Sequence, residues 1–257
     1  MAAELLVVPA LLAYGEAAVA YAGELRGPGL AGRLATWGVR LGWVAQTALL
    51  IGQAVSVEGF PWGTWAGALN LFVWLVVGAY LIWGCTPRYR LLGLTVMPIA
   101  AVLLALAWAG GGTGLADRDD SGLALAIHAG LMLAGFAGLT LAAGMAGLYV
   151  WQERRLKRHE RSVLRVRVPA LEALDRLAAR TVLVSLVLLA LGIGVGASSF
   201  EQGDFDVAMG VTLAIVAVYV GLLVLRHEGW RGHRAALLNL GGFALVAVVL
   251  PLTHFAS

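Results

Sequence analysis

An all-α fold, a polytopic membrane bundle of eight transmembrane helices, is predicted by three features of this sequence. Apolar residues make up 60% of the 257-residue chain and charged residues 13%, with a mean hydropathy of +0.85, far outside the composition of water-soluble domains. Eight apolar runs reach the roughly 20 residues that a hydrocarbon core requires: about 3–22, 36–56, 65–84, 91–110, 122–150, 181–199, 207–225 and 235–253. Basic and acidic stretches alternate between them. Arg26, Arg33 and Arg40, then Arg88 and Arg90, the run from Arg154 to Arg180, and Arg226, Arg231 and Arg234 mark cytoplasmic segments, because loops rich in Lys and Arg stay inside. Glu58, then Asp117, Asp119 and Asp120, then Glu201, Asp204 and Asp206 mark outer ones, with Arg118 the single basic exception.

Each run has its own signature. The first has no basic residue before it and carries Glu4, so it reads as a retained span with an outside N-terminus. Glu16 within it and Gln46 in the second are costly polar groups, serving either a hydrogen bond between spans or a polar path through the bundle. The third opens on Phe60, Trp62 and Trp65 around Pro61 and Gly63, with Trp74 deeper; these aromatics suit an interfacial belt or a stacking face for a flat ligand. The fourth lies between Arg88, Arg90 and the outer aspartates. The fifth exceeds the bilayer and continues into a basic cytoplasmic segment, 151–180, in which Pro169 interrupts any helix. Gly130, Gly135, Gly138, Gly144 and Gly147 in the fifth run, with Gly192, Gly194 and Gly196 in the sixth, make smooth faces for close helix packing or a planar cofactor. With an even number of spans both termini lie outside, and residues 1–257 read as one transmembrane domain.

Histidines separate by position. His159, His227 and His233 stand among arginines in cytoplasmic loops and read as solvated surface. His128, at the start of the fifth run, and His254, at the end of the eighth, both sit near the outer boundary. Either each is satisfied by a local hydrogen bond, or the two form a bis-imidazole iron site if their spans are neighbours.

The segments WGTWAGALNLFVWLVVGAYLIW (62–83), YRLLGLTVMPIAAVLLALA (89–107), IHAGLMLAGFAGLTLAAGMAGLYVWQERRLK (127–157), LDRLAARTVLVSLVLLALGIGVGA (174–197), GWRGHRAALLNLGGFALV (229–246) and THF (253–255) resemble, in this order, the cytochrome c assembly membrane proteins of the CcsA/HemX type. The resemblance implies haem b as cofactor, with His128 and His254 as axial ligands and Trp62 and Trp65 flanking it. The family's Trp-rich external loop is replaced here by SSFEQGDFD (198–206), and Gln46 stands where relatives carry an intramembrane histidine. The first departure, with the length of 257 residues and eight spans, fits the shorter HemX-like branch better than a full haem lyase, and the second argues against a second, bilayer-embedded haem site.

The implied function is to hold or pass haem at the outer side of a bacterial cytoplasmic membrane. Partners would be haem, the lipid bilayer and another cytochrome c assembly component. A competing class is a HemX-like regulator that docks a haem-biosynthesis enzyme on segment 151–180, and a third is a secondary transporter. No P-loop, HExxH or CxxCH motif appears, so an enzymatic role is not indicated. The pI near 9.3 is explained by juxtamembrane arginines, and no nucleic-acid-binding module is legible. Cys85 is the single cysteine, which excludes an internal disulfide.

Overall fold

In a computed structural model, residues 4–24, 29–57, 64–84, 92–114, 122–158, 170–199 and 207–256 are described, and the backbone among them is helical with no strand. A 3-10 turn, Glu4–Leu6, leads into α1, Val7–Glu24. Then follow α2, Leu30–Val57; α3, Trp65–Gly84; α4, Gly93–Ala109; α5, Leu123–Lys157; α6, Leu171–Ser199; α7, Val207–His227; and α8, His233–Ala256. Every expected run is a helix. Five segments are both long and apolar enough to cross a membrane: Glu4–Gly23, Trp65–Ile82, Leu123–Lys157, Leu171–Ala197 and Met209–His227. Gly93–Ala109 is apolar but shorter, and α2 carries Arg33, Arg40, Gln46 and Gln53 along its length. The chain is a multi-pass membrane protein. Charged residues extend three helices beyond the expected spans: α2 begins before Arg33, α5 runs on to Lys157, and α6 starts ten residues ahead of Thr181.

The helices form two compact units, residues 1–126 with 161–168, and 127–160 with 169–257. In the first, α1 packs closely on α2 where the second helix lacks side chains. A Cβ on Gly42 would stand 2.5 Å from the Tyr14 ring, and one on Gly38 3.0 Å from the Ala13 carbonyl, so this Gly-x-x-x-Gly step lets the backbones meet. Thr64 caps α3, its Oγ1 accepting from the Gly67 N–H at 3.0 Å. Between α2 and α3, Trp43 and Trp74 stack with centroids 5.2 Å apart, Trp43 Nε1 donating to the Trp74 carbonyl and Trp74 Nε1 to Thr47 Oγ1. Trp74 is thereby engaged in helix packing.

A chain of buried amides runs through the same unit. Tyr14 Oη donates to Gln46 Oε1 at 2.8 Å, and Gln46 Nε2 donates to the Asn70 side-chain and main-chain oxygens. Asn70 Nδ2 reaches Gln53 Oε1 at 3.3 Å, and Gln53 Nε2 donates to the carbonyls of Gly112 and Gly114. Those carbonyls are presented by a glycine turn that ends α4, in which Gly111 takes φ +79°. Gln46 therefore ties spans together, the first of the two roles open to it from sequence.

The second unit is packed by interlocking. Met132 sits over Gly192, Leu189 over Gly135, and Ser185 over Gly138, so α5 and α6 run antiparallel, with glycine supplied by α6 at one end of the seam and by α5 further along. Leu139, Val182, Leu189, Ile215, Tyr219 and Val246 then join α5, α6, α7 and α8 in one apolar cluster. Gly130 and Gly194 have nothing within 4 Å of a would-be Cβ and take no part.

Candidate functional site

His128 lies on the first turns of α5 and is held by α6. A Cβ on Gly196 would stand 2.7 Å from His128 Nδ1, so the imidazole fills the notch left by that glycine. One turn along, the Gly192 carbonyl is 2.7 Å from Nδ1. A carbonyl can only accept, so Nδ1 carries the proton and the lone pair falls on Nε2. This is the arrangement by which a backbone carbonyl fixes the tautomer and orientation of a metal-binding imidazole. The donor chemistry at His128 therefore fits an axial ligand to haem iron.

His254 lies in the last turns of α8, and its side chain is outside the described residues. Its level follows from helix packing. Ala146 and Val150 on α5 cluster with Ala236 on α8, and Leu240 stands 4.0 Å from a Cβ built on Gly147. Ala146 is 18 residues after His128, and His254 is 18 residues after Ala236. Along antiparallel helices both intervals span about 27 Å, which brings the two positions level to within about a turn.

Trp62 is outside the described residues. Trp65 belongs to the first unit, at the start of α3, half-exposed and lying against Gly110, where a Cβ would be 2.5 Å from the ring. Of the glycines open to a cofactor reading, Gly135, Gly138, Gly192 and Gly196 are filled by protein side chains. Residues 200–206, in the segment that replaces the Trp-rich loop, lie outside the described residues, as do His159 and Pro169.

At the opposite end of the second unit the charges are latched. Arg226 and Asp175 form a two-pronged pair at 2.7 and 2.6 Å, and Asp175 also accepts from the Gly232 N–H at 3.2 Å. Gly229 and Gly232, at φ +100° and +67°, allow the tight α7–α8 turn that brings this N–H in. Glu153 bonds Lys157 at 2.8 Å and also His233. The Lys157 hydrogen bond first, and His233 next among the lowering contacts, hold the Glu153 carboxyl below its ordinary range. His233, expected as free surface, is thus a structural partner. Three tryptophans carry arginines over their rings, Trp37 with Arg40, Trp151 with Arg155 and Trp230 with Arg234.

The buried partners Gln53 and Asn70 were not singled out from the sequence. Two signals were available: Gln46 and Gln53 are seven residues apart on one helix face, and Asn70 interrupts an otherwise apolar run. Among the described residues no cluster of three or more His, Cys, Asp or Glu could hold a metal ion.

Residues 62–255 match the family described as cytochrome C assembly protein. No curated protein matches the chain, and no solved structure does. Because the match covers well over half of the sequence, the chain belongs to the cytochrome c assembly protein family.

Proposed function

We propose that this cytochrome c assembly protein handles haem b at the outer side of a bacterial cytoplasmic membrane, with His128 and His254 as the axial ligands. The observation that supports the reading is the Nδ1 contact of His128 to the Gly192 carbonyl, together with the equal intervals of 18 residues that separate His128 from Ala146 and Ala236 from His254 on two helices in contact at Ala146 and Ala236. On this reading all eight helices cross the bilayer and both termini lie outside. The alternation of basic and acidic segments supports that orientation.

Haem, when bound, supplies the iron and its redox chemistry; the protein supplies ligands, orientation and exclusion of water. His128 offers Nε2 because its other nitrogen is committed to a backbone carbonyl. Gly196 matters because any side chain there would push the ring off that carbonyl. His254 contributes the second imidazole from α8.

Visible absorption of the purified protein tests this. The wild type should show a sharp Soret band with low-spin features, and His128→Ala or His254→Ala should lose or convert them to high spin. Gly196→Ala should weaken the low-spin signature by displacing the ring, while His233→Gln should leave it intact. A spectrum unchanged in the His128→Ala, His254→Ala double variant would overturn the ligand assignment. A protein unable to take up haem, whose loss alters tetrapyrrole levels, would favour the regulator that docks a haem-biosynthesis enzyme.

A further inference from the structure

An open groove of about 720 Å³ runs between α6 and α7. Leu183, Val187 and Ala190 form one wall, and Val216, Val220 and Val224 the other. Leu183 is 55% exposed and Val224 53%, so these side chains line a surface channel and not a core. Their spacing of three or four residues makes one continuous stripe on each helix. Over the eight residues from Val216 to Val224 the groove extends about 12 Å along the helix axis.

Both stripes lead into polar groups toward the same end of the helix pair. On α7 the lining passes into His227 and Glu228. On α6 the residue three before Leu183 is Arg180, which is exposed. The Asp175–Arg226 pair joins these two helices close to that end, so Arg180, five residues on from Asp175, lies about 7.5 Å further along α6 than the level of that pair, beside the α7 wall of the groove. Arg226 is consumed by that pair, whereas Arg180 and His227 have no ion-pair partner among the described residues. Arg176, one turn further out, is tied only loosely to Glu172 at 3.8 Å.

An apolar channel in a membrane-spanning surface is filled by hydrocarbon, and an arginine next to it, without an ion-pair partner among the described residues, selects what the hydrocarbon is attached to. We propose that the α6–α7 groove binds one anionic phospholipid, an acyl chain lying along Val187 and Val220 and the phosphate meeting Arg180. The guanidinium fork suits phosphate oxygens, and its stem continues the apolar wall. Glu228 opposes a second negative charge on the α7 side, so the site takes one headgroup oriented toward α6.

The test is native mass spectrometry of the full-length protein released from bilayers of mixed phosphatidylglycerol and phosphatidylcholine. The wild type should retain one phosphatidylglycerol per chain in preference to phosphatidylcholine. Arg180→Gln should cut that preference about fivefold, the weight of one arginine near an anionic headgroup. Ala190→Phe, which fills the groove and leaves Arg180 in place, should abolish retention, with helicity and thermal unfolding checked for both variants. If Ala190→Phe disturbs folding, Arg180→Gln alone decides. Equal retention of both lipids, or an unchanged preference in Arg180→Gln, overturns the proposal. Displacement of the lipid by inorganic phosphate or glycerol phosphate as readily as by whole phospholipid also overturns it, because the groove would then contribute nothing.

Discussion

The two units solve the same problem by different means. Lipid is as apolar as leucine, so helices inside a bilayer gain little from hiding apolar side chains and must cohere through close packing or hydrogen bonds. The first unit uses hydrogen bonds deep inside: Tyr14, Gln46, Asn70 and Gln53 form a chain of fully buried partners from α1 through α3 to the glycine turn after α4. The second interlocks glycine with larger side chains, turns the hydroxyls of Thr140, Thr181 and Ser185 onto carbonyls of their own helices, and carries its charged groups toward the ends. His128 stands at one end and the Asp175–Arg226 latch at the other. A polar interior fixes register, whereas an interior without such a chain leaves the titratable groups near the helix ends, where they can meet something other than protein.

The largest test of this contrast is at the latch. Asp175→Ala should cost about 3–5 kcal/mol in the stability of the second unit, because it strands the half-buried Arg226 and frees the Gly232 N–H. The Asp175→Ala, Arg226→Met double variant should recover much of that loss in thermal unfolding. If the single variant unfolds like the wild type, the polar end contributes little and the contrast fails there.

Packing comes next. Gly138→Val should destabilise by about 1–3 kcal/mol, since its side chain would collide with Ser185. Gly130→Ala, facing open space, should be neutral or gain a few tenths. Denaturation in mild detergent distinguishes them, and equal effects would show that the α5–α6 seam is not where the glycines act.

In the first unit Asn70→Leu should cost roughly 1–2 kcal/mol, modest for a network of this size because hydrogen bonds between membrane helices are individually weak. Adding Gln53→Leu should cost less than the sum of the two single changes, as for residues sharing one bond. Strict additivity would argue against a continuous chain.

The smallest effect is pH-dependent. The carboxyl of Glu153 is held below its ordinary range, so its ties to Lys157 and His233 contribute stability above the carboxylate range and lose it as pH falls through the depressed value. Comparing the melting temperature of wild type and Glu153→Gln from neutral pH downward should show the gap closing at acid pH. A gap that persists there would assign the loss to packing.

All eight helices were legible in the sequence, because a bilayer demands about 20 apolar residues per crossing and tolerates charges only between them. The glycines at 135, 138, 192 and 196 were legible as smooth faces, and the family resemblance was legible in the order of segments. Helix ends were less so: α6 begins at Leu171, within a segment whose arginines and acids read as loop, because Asp175 is satisfied by Arg226 on another helix. Hydropathy weighs residues singly and cannot register such a pairing.

Composition and spacing alone determined that this chain is a helical membrane protein, where its apolar segments lie, and which two histidines fall near the ends of apolar segments, since these depend on each residue's own affinity for water or lipid. Tertiary structure decided what each polar group answers to. Gln46 meets Asn70, His233 meets Glu153, and His128 turns Nδ1 toward the Gly192 carbonyl over the notch at Gly196. Those choices depend on which helix faces which and at what height, and pairing between residues 24 to 80 positions apart leaves no periodic trace in a single sequence.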